Sequence, residues 1–461
     1  MLANDAEAVR RWIESVVGGT VESVTRKTGG ASRSTNMVVV HHDDRRVEEV
    51  VLRLDTGDGP FSGTRFTLAR EAATYQEVSG TDVPVPEVLA VSDDGSAVLM
   101  RRVAGHDSDV IPNDERTSVA ESYVRAIAAL HALDPQSMSL DGFARPTTPA
   151  DRSRLEIDTW TDMLTAKVHR PEPVVDFAIA WLRDHLPTTG DETVMCWGDV
   201  GPGNFLYEDG KVTALLDWEL AHLGDPMDDL AFHSLRSHLL FDGGFCELDW
   251  LLDRYEELSG RTIDVDRFDH YQAACLVRWI VTPLAALDNR AGAEMAGSTY
   301  LFLIATVRVW MAEVLARLIG VELDEVAPFD PVPATDDAEV VSLLMDDLLG
   351  VIMPAVSDDA ASQRLTGMAM LLDHLGAAQR IGAAVDDAEL ADLTALLGTA
   401  PASIHDGLLD LRDRIRAGRP PATSEDMVQY FGRSAVRRAQ LWPFLRSYTS
   451  RPVPSLGDRS C

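Results

Sequence analysis

The segment 197–219 constrains the fold more than any other part of the chain. A short apolar run follows Asn204, an Asp209-Gly210 pair comes next, and a second apolar run ends at Asp217. Asp-Gly favours a two-residue β-turn, because both turn positions need positive φ values. The segment therefore predicts a β-hairpin whose outer ends bring Asn204 and Asp217 side by side.

Asp199 precedes Asn204 by five positions, which is the spacing of a kinase catalytic loop. In such loops the Asp accepts the proton of an attacking hydroxyl group and the Asn holds Mg²⁺. Asp217 ends the second strand, where these enzymes place their main Mg²⁺ ligand, and oxygen donors suit this ion. A solvated loop would explain any one of these residues. The joint pattern favours Asp199 as the catalytic base and Asn204 and Asp217 as metal ligands.

These residues resemble the signature of the aminoglycoside phosphotransferase and choline kinase-like superfamily, H-G-D-x-x-x-x-N followed by D-W/F-E/D at a strand end. The likeness continues into the segment 220–231 and covers about residues 5–325. Within the superfamily, the sequence is most similar to a bacterial branch that resembles the kinase-like domain fused to some acyl-CoA dehydrogenases. The resemblance implies an α+β, bilobal protein kinase-like fold. Trp197 stands where the family has a His that orients the loop.

The N-terminal part of the chain predicts an antiparallel β lobe. Its pattern of elements is a helix, three strands, a helix and a further strand, over residues 5–17, 21–26, 36–41, 49–54, 66–78 and 97–100. The turn after the first strand contains Gly29, Gly30 and Ser32. Two glycines alone would more often form a plain hairpin turn. In this order of strands, however, the backbone N–H groups of the turn are expected to cover phosphate oxygens.

Kinases bind the α- and β-phosphates with a basic residue of the third strand, which pairs with a helix Glu. The chain has only three lysines, none of them in this strand. Arg53 takes the position, as the resemblance also implies, and Glu71 is its expected partner. Arginine can bind phosphate in a bidentate manner, although a plain surface salt bridge is the alternative. By analogy, backbone atoms near Met100 and Arg102 would contact the adenine.

The charge and cysteine content restrict partners and compartment. A net charge of −33 argues against nucleic acid and anionic membranes as partners. Four scattered cysteines without a C-x-x-C motif predict a reduced cytoplasmic protein that has neither a zinc site nor a disulfide framework. The N-terminal residues do not resemble a signal peptide. No apolar run approaches the roughly 20 residues of a membrane-spanning helix.

We expect four segments along the chain: a kinase-like N-lobe (1–102), a C-lobe with the catalytic loop and acceptor pocket (103–325), a linker (326–337) and a helical accessory domain (338–461). In the last segment, apolar residues recur at helical spacing in five runs, which Pro354, Gly382, Gly398 and Gly418 punctuate. It contains no catalytic constellation. The interpretation that it packs, or forms homo-oligomers, is therefore favoured.

The leading hypothesis is an ATP- and Mg²⁺-dependent O-phosphotransferase that acts on the hydroxyl group of a small molecule. The branch resemblance points to a hydroxyacyl-CoA, whereas the superfamily name and the acidic charge point to an aminoglycoside or another antibiotic. A nucleotide-binding pseudokinase that serves as an interaction module is the third alternative. A CoA substrate carries several negative charges and would require an arginine-rich groove. Whether a hydroxyacyl-CoA or an aminoglycoside is the acceptor can therefore be judged from the positions, relative to the cleft, of Arg65, Arg70, Arg236 and Arg278.

Overall fold

The structure is a computed structural model that describes residues 1–27, 33–57, 59–190, 193–241, 244–289, 297–333 and 336–457. The chain forms two compact units. Unit 1 comprises residues 1–156, 186–272 and 454–461, and unit 2 comprises residues 157–185 and 273–453.

The ten strands of the described residues lie in the N-terminal third of the chain or in the segment 194–224. They are β1 (Thr20–Arg26), β2 (Ser34–His41), β3 (Val47–Leu54), β4 (Val88–Val91), β5 (Ala97–Arg101), β6 (His106–Asp107), β7 (Val194–Cys196), β8 (Phe205–Glu208), β9 (Lys211–Leu215) and β10 (His222–Gly224).

The remainder of the chain is mainly helical. The helices are α1 (Ala6–Val17), α2 (Leu68–Val78), α3 (Arg116–His131), α4 (Pro149–Lys167), α5 (Pro173–Asp184), α6 (Pro226–Leu240), α7 (Leu248–Ser259), α8 (Val265–Asn289), α9 (Gly297–Ile319), α10 (Asp336–Asp347), α11 (Asp359–Leu397), α12 (Ile404–Arg416), α13 (Ser424–Ala439) and α14 (Arg446–Thr449). None of the helices in the described ranges combines the length and apolar character needed to cross a membrane.

Five strands of unit 1 form an antiparallel sheet in the order β1-β2-β3-β5-β4. Helix α1 begins at Asp5, whose side chain accepts hydrogen bonds from two first-turn N–H groups. Its apolar residues Val9 and Ile13 pack in one cluster with Val38 and Val50 of the sheet. The predicted antiparallel lobe is confirmed, with strand ends shifted by one or two residues.

The predicted hairpin is also confirmed. Strands β8 and β9 pair antiparallel, with Phe205 opposite Leu215. Asp209 and Gly210 form the turn with φ values of 50° and 72°, as a two-residue turn of this type requires.

The C-terminal helices belong to unit 2 and differ from the prediction at one point. Gly382 was expected to separate two helices, but α11 runs without interruption from Asp359 to Leu397. One interior glycine costs a helix only about 1 kcal/mol relative to alanine, and burial of Val385 and Leu393 on the same helix offsets that cost. The predicted domain boundaries remain a prediction. In unit 2, helices α5 and α9 pack with the C-terminal helices α12 and α13.

Candidate active site

Asp199 lies in the loop between β7 and β8, where Asn204 holds its carboxylate. Nδ2 of Asn204 donates hydrogen bonds to the backbone oxygen of Asp199 at 2.8 Å and to its Oδ2 at 2.6 Å. These bonds fix the amide, so Oδ1 of Asn204 stays available as an acceptor. The Asp199 side chain keeps 19% of its surface exposed, so a small molecule can reach its carboxylate.

Arg236 of α6 binds Asp199 from the other side. Its Nη1 donates to Oδ1 of Asp199 at 2.7 Å, and its Nε donates to the backbone oxygen of Pro202 at 2.7 Å. The loop makes room for this side chain through two glycines. A Cβ on Gly201 would lie 2.9 Å from Cδ of Arg236, and one on Gly203 would lie 3.2 Å from its Nη2. The loop is therefore built around a helix-borne arginine.

Asp217 follows β9 with a φ of 58°, in the left-handed region that few non-glycine residues adopt. Its backbone N–H donates to the hydroxyl of Tyr75 at 3.0 Å, and its Oδ1 accepts from Nη2 of Arg53 at 3.2 Å. The neighbouring Leu216 donates its N–H to the backbone oxygen of Asn204 at 2.7 Å. The hairpin thus brings the Asn204 and Asp217 backbones together, and α2 stabilises the unusual conformation.

The predicted pairing of Arg53 with Glu71 is confirmed. Nη2 of Arg53 lies 3.1 Å from Oε1 of Glu71, which is 1% exposed. Burial opposes the positive charge of Arg53, but the carboxylates of Glu71 and Asp217 nevertheless raise its pKa above the usual value. Arg53 therefore stays charged beside Asp217.

A second arginine, Arg33, shares the same carboxylate. Its Nη1 donates to Glu71 at 2.7 Å and to Glu219 at 3.1 Å, and Nη2 donates to the backbone oxygen of Phe66. Arg33 directly follows the Gly- and Ser-rich turn. It therefore ties the end of that turn to α2 and to the residues after Asp217.

Asp229 holds the start of the catalytic loop. Its two carboxylate oxygens accept the backbone N–H groups of Trp197 and Gly198, each at 2.8 Å. His131 lies 3.1 Å from the same carboxylate and 2.8 Å from the hydroxyl of Tyr255. Asp229 and His131 therefore support the loop and have a structural role. Asp225, a further acidic residue of the same segment, caps the start of α6.

Trp197, which replaces the family's His, is fully buried. Its Nε1 donates to the backbone oxygen of Leu216 at 2.7 Å, and its ring lies 5.9 Å from that of Trp218. The indole thereby links the catalytic loop to the residue immediately before Asp217. Support for the loop comes from Asp229 and from this bond.

The residues predicted to contact the nucleotide are only partly described. Gly29, Gly30 and Ser32 lie outside the described residues. Met100 is buried in β5 opposite Val51, and the exposed Arg102 pairs with Glu49. The predicted nucleotide contacts of these residues remain proposals.

Sequence reasoning missed three residues of the site: Arg33, Tyr75 and the part that Arg236 plays at Asp199. The sequence contained a signal for Arg33, because this residue directly follows the glycine-rich turn. The Gly201-Pro202-Gly203 run could have suggested space for an incoming side chain, but nothing local identifies Arg236 as its source.

Arg70 lies near the residues that follow Asp217, and Arg65 lies near Arg70. Nη2 of Arg70 donates to the backbone oxygen of Ala221 at 2.6 Å, and its guanidinium lies 3.7 Å from the centre of the Phe143 ring. Within the described part of the chain, its buried Nε and Nη1 have no acceptor. Burial, and then the charge of Arg65, lowers the pKa of Arg70 to about 9. Arg278, the remaining arginine of interest, is buried in unit 2.

The hairpin ends offer oxygen donors of the kind that Mg²⁺ prefers. Oδ1 of Asn204 stays available, and Asp217 keeps a second carboxylate oxygen beyond the one that binds Arg53. The side chain of Asp217 is 30% exposed, which leaves room for water and phosphate oxygens. The donor set therefore fits this ion.

Three comparisons with known proteins agree with this geometry. The phosphotransferase enzyme family matches residues 26–268, more than half of the chain. A solved structure from Ralstonia eutropha, described as an aminoglycoside phosphotransferase, is 25% identical with a TM-score of 0.51, and the match covers 66% of this chain and 95% of that one. This likeness confirms the expected bilobal kinase-like fold.

Curated relatives include acyl-CoA dehydrogenase family member 11 of Rattus norvegicus, which is 30% identical over 180 residues, 36% of this chain and 23% of the relative. Acyl-CoA dehydrogenase family member 10 of Mus musculus is 30% identical over 193 residues, 39% of this chain and 18% of the relative. The chain therefore spans less than a quarter of the length of these relatives. Hygromycin-B 4-O-kinase of Escherichia coli is 25% identical over 177 residues, 35% of this chain and 50% of the relative.

Proposed function

The chain belongs to the phosphotransferase enzyme family, and we propose that it transfers the γ-phosphoryl group of ATP to a hydroxyl group of a small molecule. The observation that carries this proposal is the arrangement around Asp199. Asn204 and Arg236 each bind one oxygen of its carboxylate, and the hairpin brings Asp217 to the neighbouring strand end.

Asp199 acts as the base in this proposal. Each of its carboxylate oxygens has already accepted one hydrogen bond, and each has a further lone pair. The acceptor's hydroxyl proton passes to Asp199 as its oxygen forms a bond to phosphorus, and the bond from phosphorus to the ADP oxygen breaks. Asn204 and Arg236 hold the carboxylate, so it is already oriented when the acceptor binds. This fixed orientation of the base contributes to the rate.

Asn204 and Asp217 hold Mg²⁺ in this proposal, and Arg53 binds the nucleotide phosphates. When bound, Mg²⁺ supplies charge neutralisation to the phosphate oxygens. Glu71 aligns Arg53, and Arg33 fixes the end of the glycine-rich turn through the same carboxylate. Gly29, Gly30 and Ser32 supply phosphate contacts, and backbone atoms near Met100 and Arg102 supply adenine contacts.

For the acceptor, the arginines favour an anionic compound, such as a hydroxyacyl-CoA, over a polycationic aminoglycoside. Arg236 is already paired with Asp199, but Arg70 keeps two buried donors without an acceptor in the described residues. An aminoglycoside carries several ammonium groups, which the charge of Arg70 would repel. Similarity to acyl-CoA dehydrogenase family members supports the same acceptor class.

The aminoglycoside alternative is supported by the similarity to hygromycin-B 4-O-kinase and by the net charge of −33. One assay separates the two candidates. ADP release and product mass are measured with a panel of hydroxyacyl-CoAs and aminoglycosides, with the Asp199→Asn variant as the control. We expect phosphorylated hydroxyacyl compounds only with the unmodified protein. Phosphorylated aminoglycosides would reverse the choice of acceptor, and nucleotide binding without any product would support the pseudokinase alternative.

A further inference from the structure

A cavity of about 410 Å³ lies inside unit 2, among helices that carry none of the proposed catalytic residues. Helices α5, α9, α11, α12 and α13 contribute its walls. This volume falls within the range of pockets that bind small organic molecules, roughly 300–1,000 Å³.

One side of the cavity is apolar. Ile404 and Leu408 line it from α12, and Phe431 and Ala435 line it from α13. Phe431 is 4% exposed, and its ring lies 5.5 Å from that of Phe177. An apolar wall of this kind suits the hydrocarbon part of a ligand.

Two of the three arginines at the cavity are already neutralised. Nε of Arg308 donates to Oε2 of Glu172 at 3.1 Å. Nε of Arg170 donates to Oδ1 of Asp288 at 2.7 Å. These two side chains therefore shape the cavity without offering it a free charge.

Arg438 is in a different position. The nearest carboxylate, Glu389, already accepts hydrogen bonds from the hydroxyls of Tyr430 and Ser434, both at 2.8 Å, and from Nη2 of Arg437 at 3.0 Å. Nη2 of Arg438 lies 3.9 Å from that carboxylate, beyond hydrogen-bond distance. Among the residues that the structure describes, no protein acceptor takes a hydrogen bond from the Arg438 guanidinium. Its donors are therefore available to a ligand.

We propose that this cavity binds a small organic monocarboxylate. The carboxylate accepts paired hydrogen bonds from Arg438, a geometry that guanidinium groups favour, and the hydrocarbon part lies against Leu408 and Phe431. Arg170 and Arg308 are already paired with Asp288 and Glu172, so Arg438 is the arginine of the lining whose donors remain for the carboxylate.

Titration of the full-length protein with decanoate tests the proposal, and calorimetry reports affinity and stoichiometry. Two variants alter the site independently: Arg438→Gln removes the charge, and Leu408→Trp fills the apolar side. Arg380→Gln changes an exposed arginine outside the cavity and is the matched control. Decanol, which has the same chain and no charge, is the matched ligand.

We expect one decanoate per chain, binding at least tenfold weaker in Arg438→Gln and in Leu408→Trp and unchanged in Arg380→Gln. Decanol should bind at least tenfold more weakly than decanoate. Absence of decanoate binding, unchanged binding in both cavity variants, or equal binding of decanol would overturn the proposal. Thermal unfolding verifies that each variant folds. If Arg438→Gln does not fold, Leu408→Trp and the decanol comparison decide the outcome.

Discussion

Arg236 and Asp199 form an ion pair across the catalytic loop, with 2.7 Å between Nη1 and Oδ1. The two residues are 37 positions apart in the sequence, and Gly201 and Gly203 leave the space that the arginine side chain occupies. We therefore consider Arg236 a positioning residue for the base.

Replacement of Arg236 by Ala should lower kcat by roughly 10- to 100-fold, because a hydrogen bond to a charged group contributes about 1.5–3 kcal/mol. KM for ATP should change little, because Arg236 contacts the loop and not the residues that are proposed to bind the nucleotide. Arg236→Lys should restore part of kcat. Arg254→Ala, which removes another arginine–carboxylate pair of unit 1, is the control. An equal loss in that control would assign the effect to general destabilisation.

Asp199→Asn tests the base directly. The amide keeps the shape of the side chain but cannot accept a proton, so kcat should fall by about 10²- to 10⁴-fold while ATP affinity stays near that of the unmodified protein. Asp209→Asn is a matched change in the hairpin turn, where Asn tolerates the left-handed conformation, and it should be fully active. Retention of full activity in Asp199→Asn would rule out its role.

The sequence predicted the parts of this site that depend on local chemistry. Asp209-Gly210 determines the type of turn, and the turn sets the register in which β8 pairs with β9. In this register Asn204 lies beside Leu216, the residue immediately before Asp217. The antiparallel lobe followed from β-branched runs between turns. The Arg53–Glu71 pair followed from the resemblance and from the order of strand and helix.

Contacts between distant segments could not be predicted in the same way. Tyr75 binds the backbone of Asp217 from a helix that is 142 positions away, and Arg33 reaches Glu219 over 186 positions. Such contacts depend on how α2 packs, which no local pattern specifies. Gly382 shows the opposite limit: a local helix-breaking signal was overridden by packing along α11.

Asp217→Asn should weaken nucleotide binding only when Mg²⁺ is present. Asn tolerates a positive φ and retains an oxygen for Arg53, so the local backbone should persist while one negative charge is lost from the proposed metal site. Affinity for a non-hydrolysable ATP analogue is measured with Mg²⁺ and with a chelator. We expect at least a tenfold loss with Mg²⁺ and little change without it. An equal loss under both conditions would contradict the role of a metal ligand.

Trp197→His would introduce the residue that the family usually has, but we expect no gain in kcat. The Trp197 indole is fully buried against Trp218, so the smaller ring should lower the free energy of unfolding by about 2–4 kcal/mol. Trp197→Phe keeps more of the apolar volume and should lose less, including about 1 kcal/mol for the hydrogen bond to Leu216. Urea unfolding measures both. A higher kcat in Trp197→His would show instead that the His orients the loop better.

His233 should make stability depend on pH. Burial lowers its pKa from 6.5 to about 3 in the folded protein, and its Nδ1 lies 2.9 Å from the Tyr123 hydroxyl. Between these two values the unfolded chain binds a proton that the folded chain does not. The free energy of unfolding is therefore highest, as far as this group is concerned, above about pH 6.5. It falls as the pH decreases toward 3, by up to about 1.4 kcal/mol per pH unit.

His233→Asn keeps an acceptor near the position of Nδ1 but cannot be protonated in this range. From pH 7.5 to 5.5, the unmodified protein should therefore lose about 1 kcal/mol more unfolding free energy than this variant. His405→Asn changes an exposed imidazole and should lose as much as the unmodified protein. Urea unfolding at both pH values provides the comparison. The same loss in His233→Asn and in the unmodified protein would mean that another group causes the pH dependence, because only the buried imidazole distinguishes the two chains.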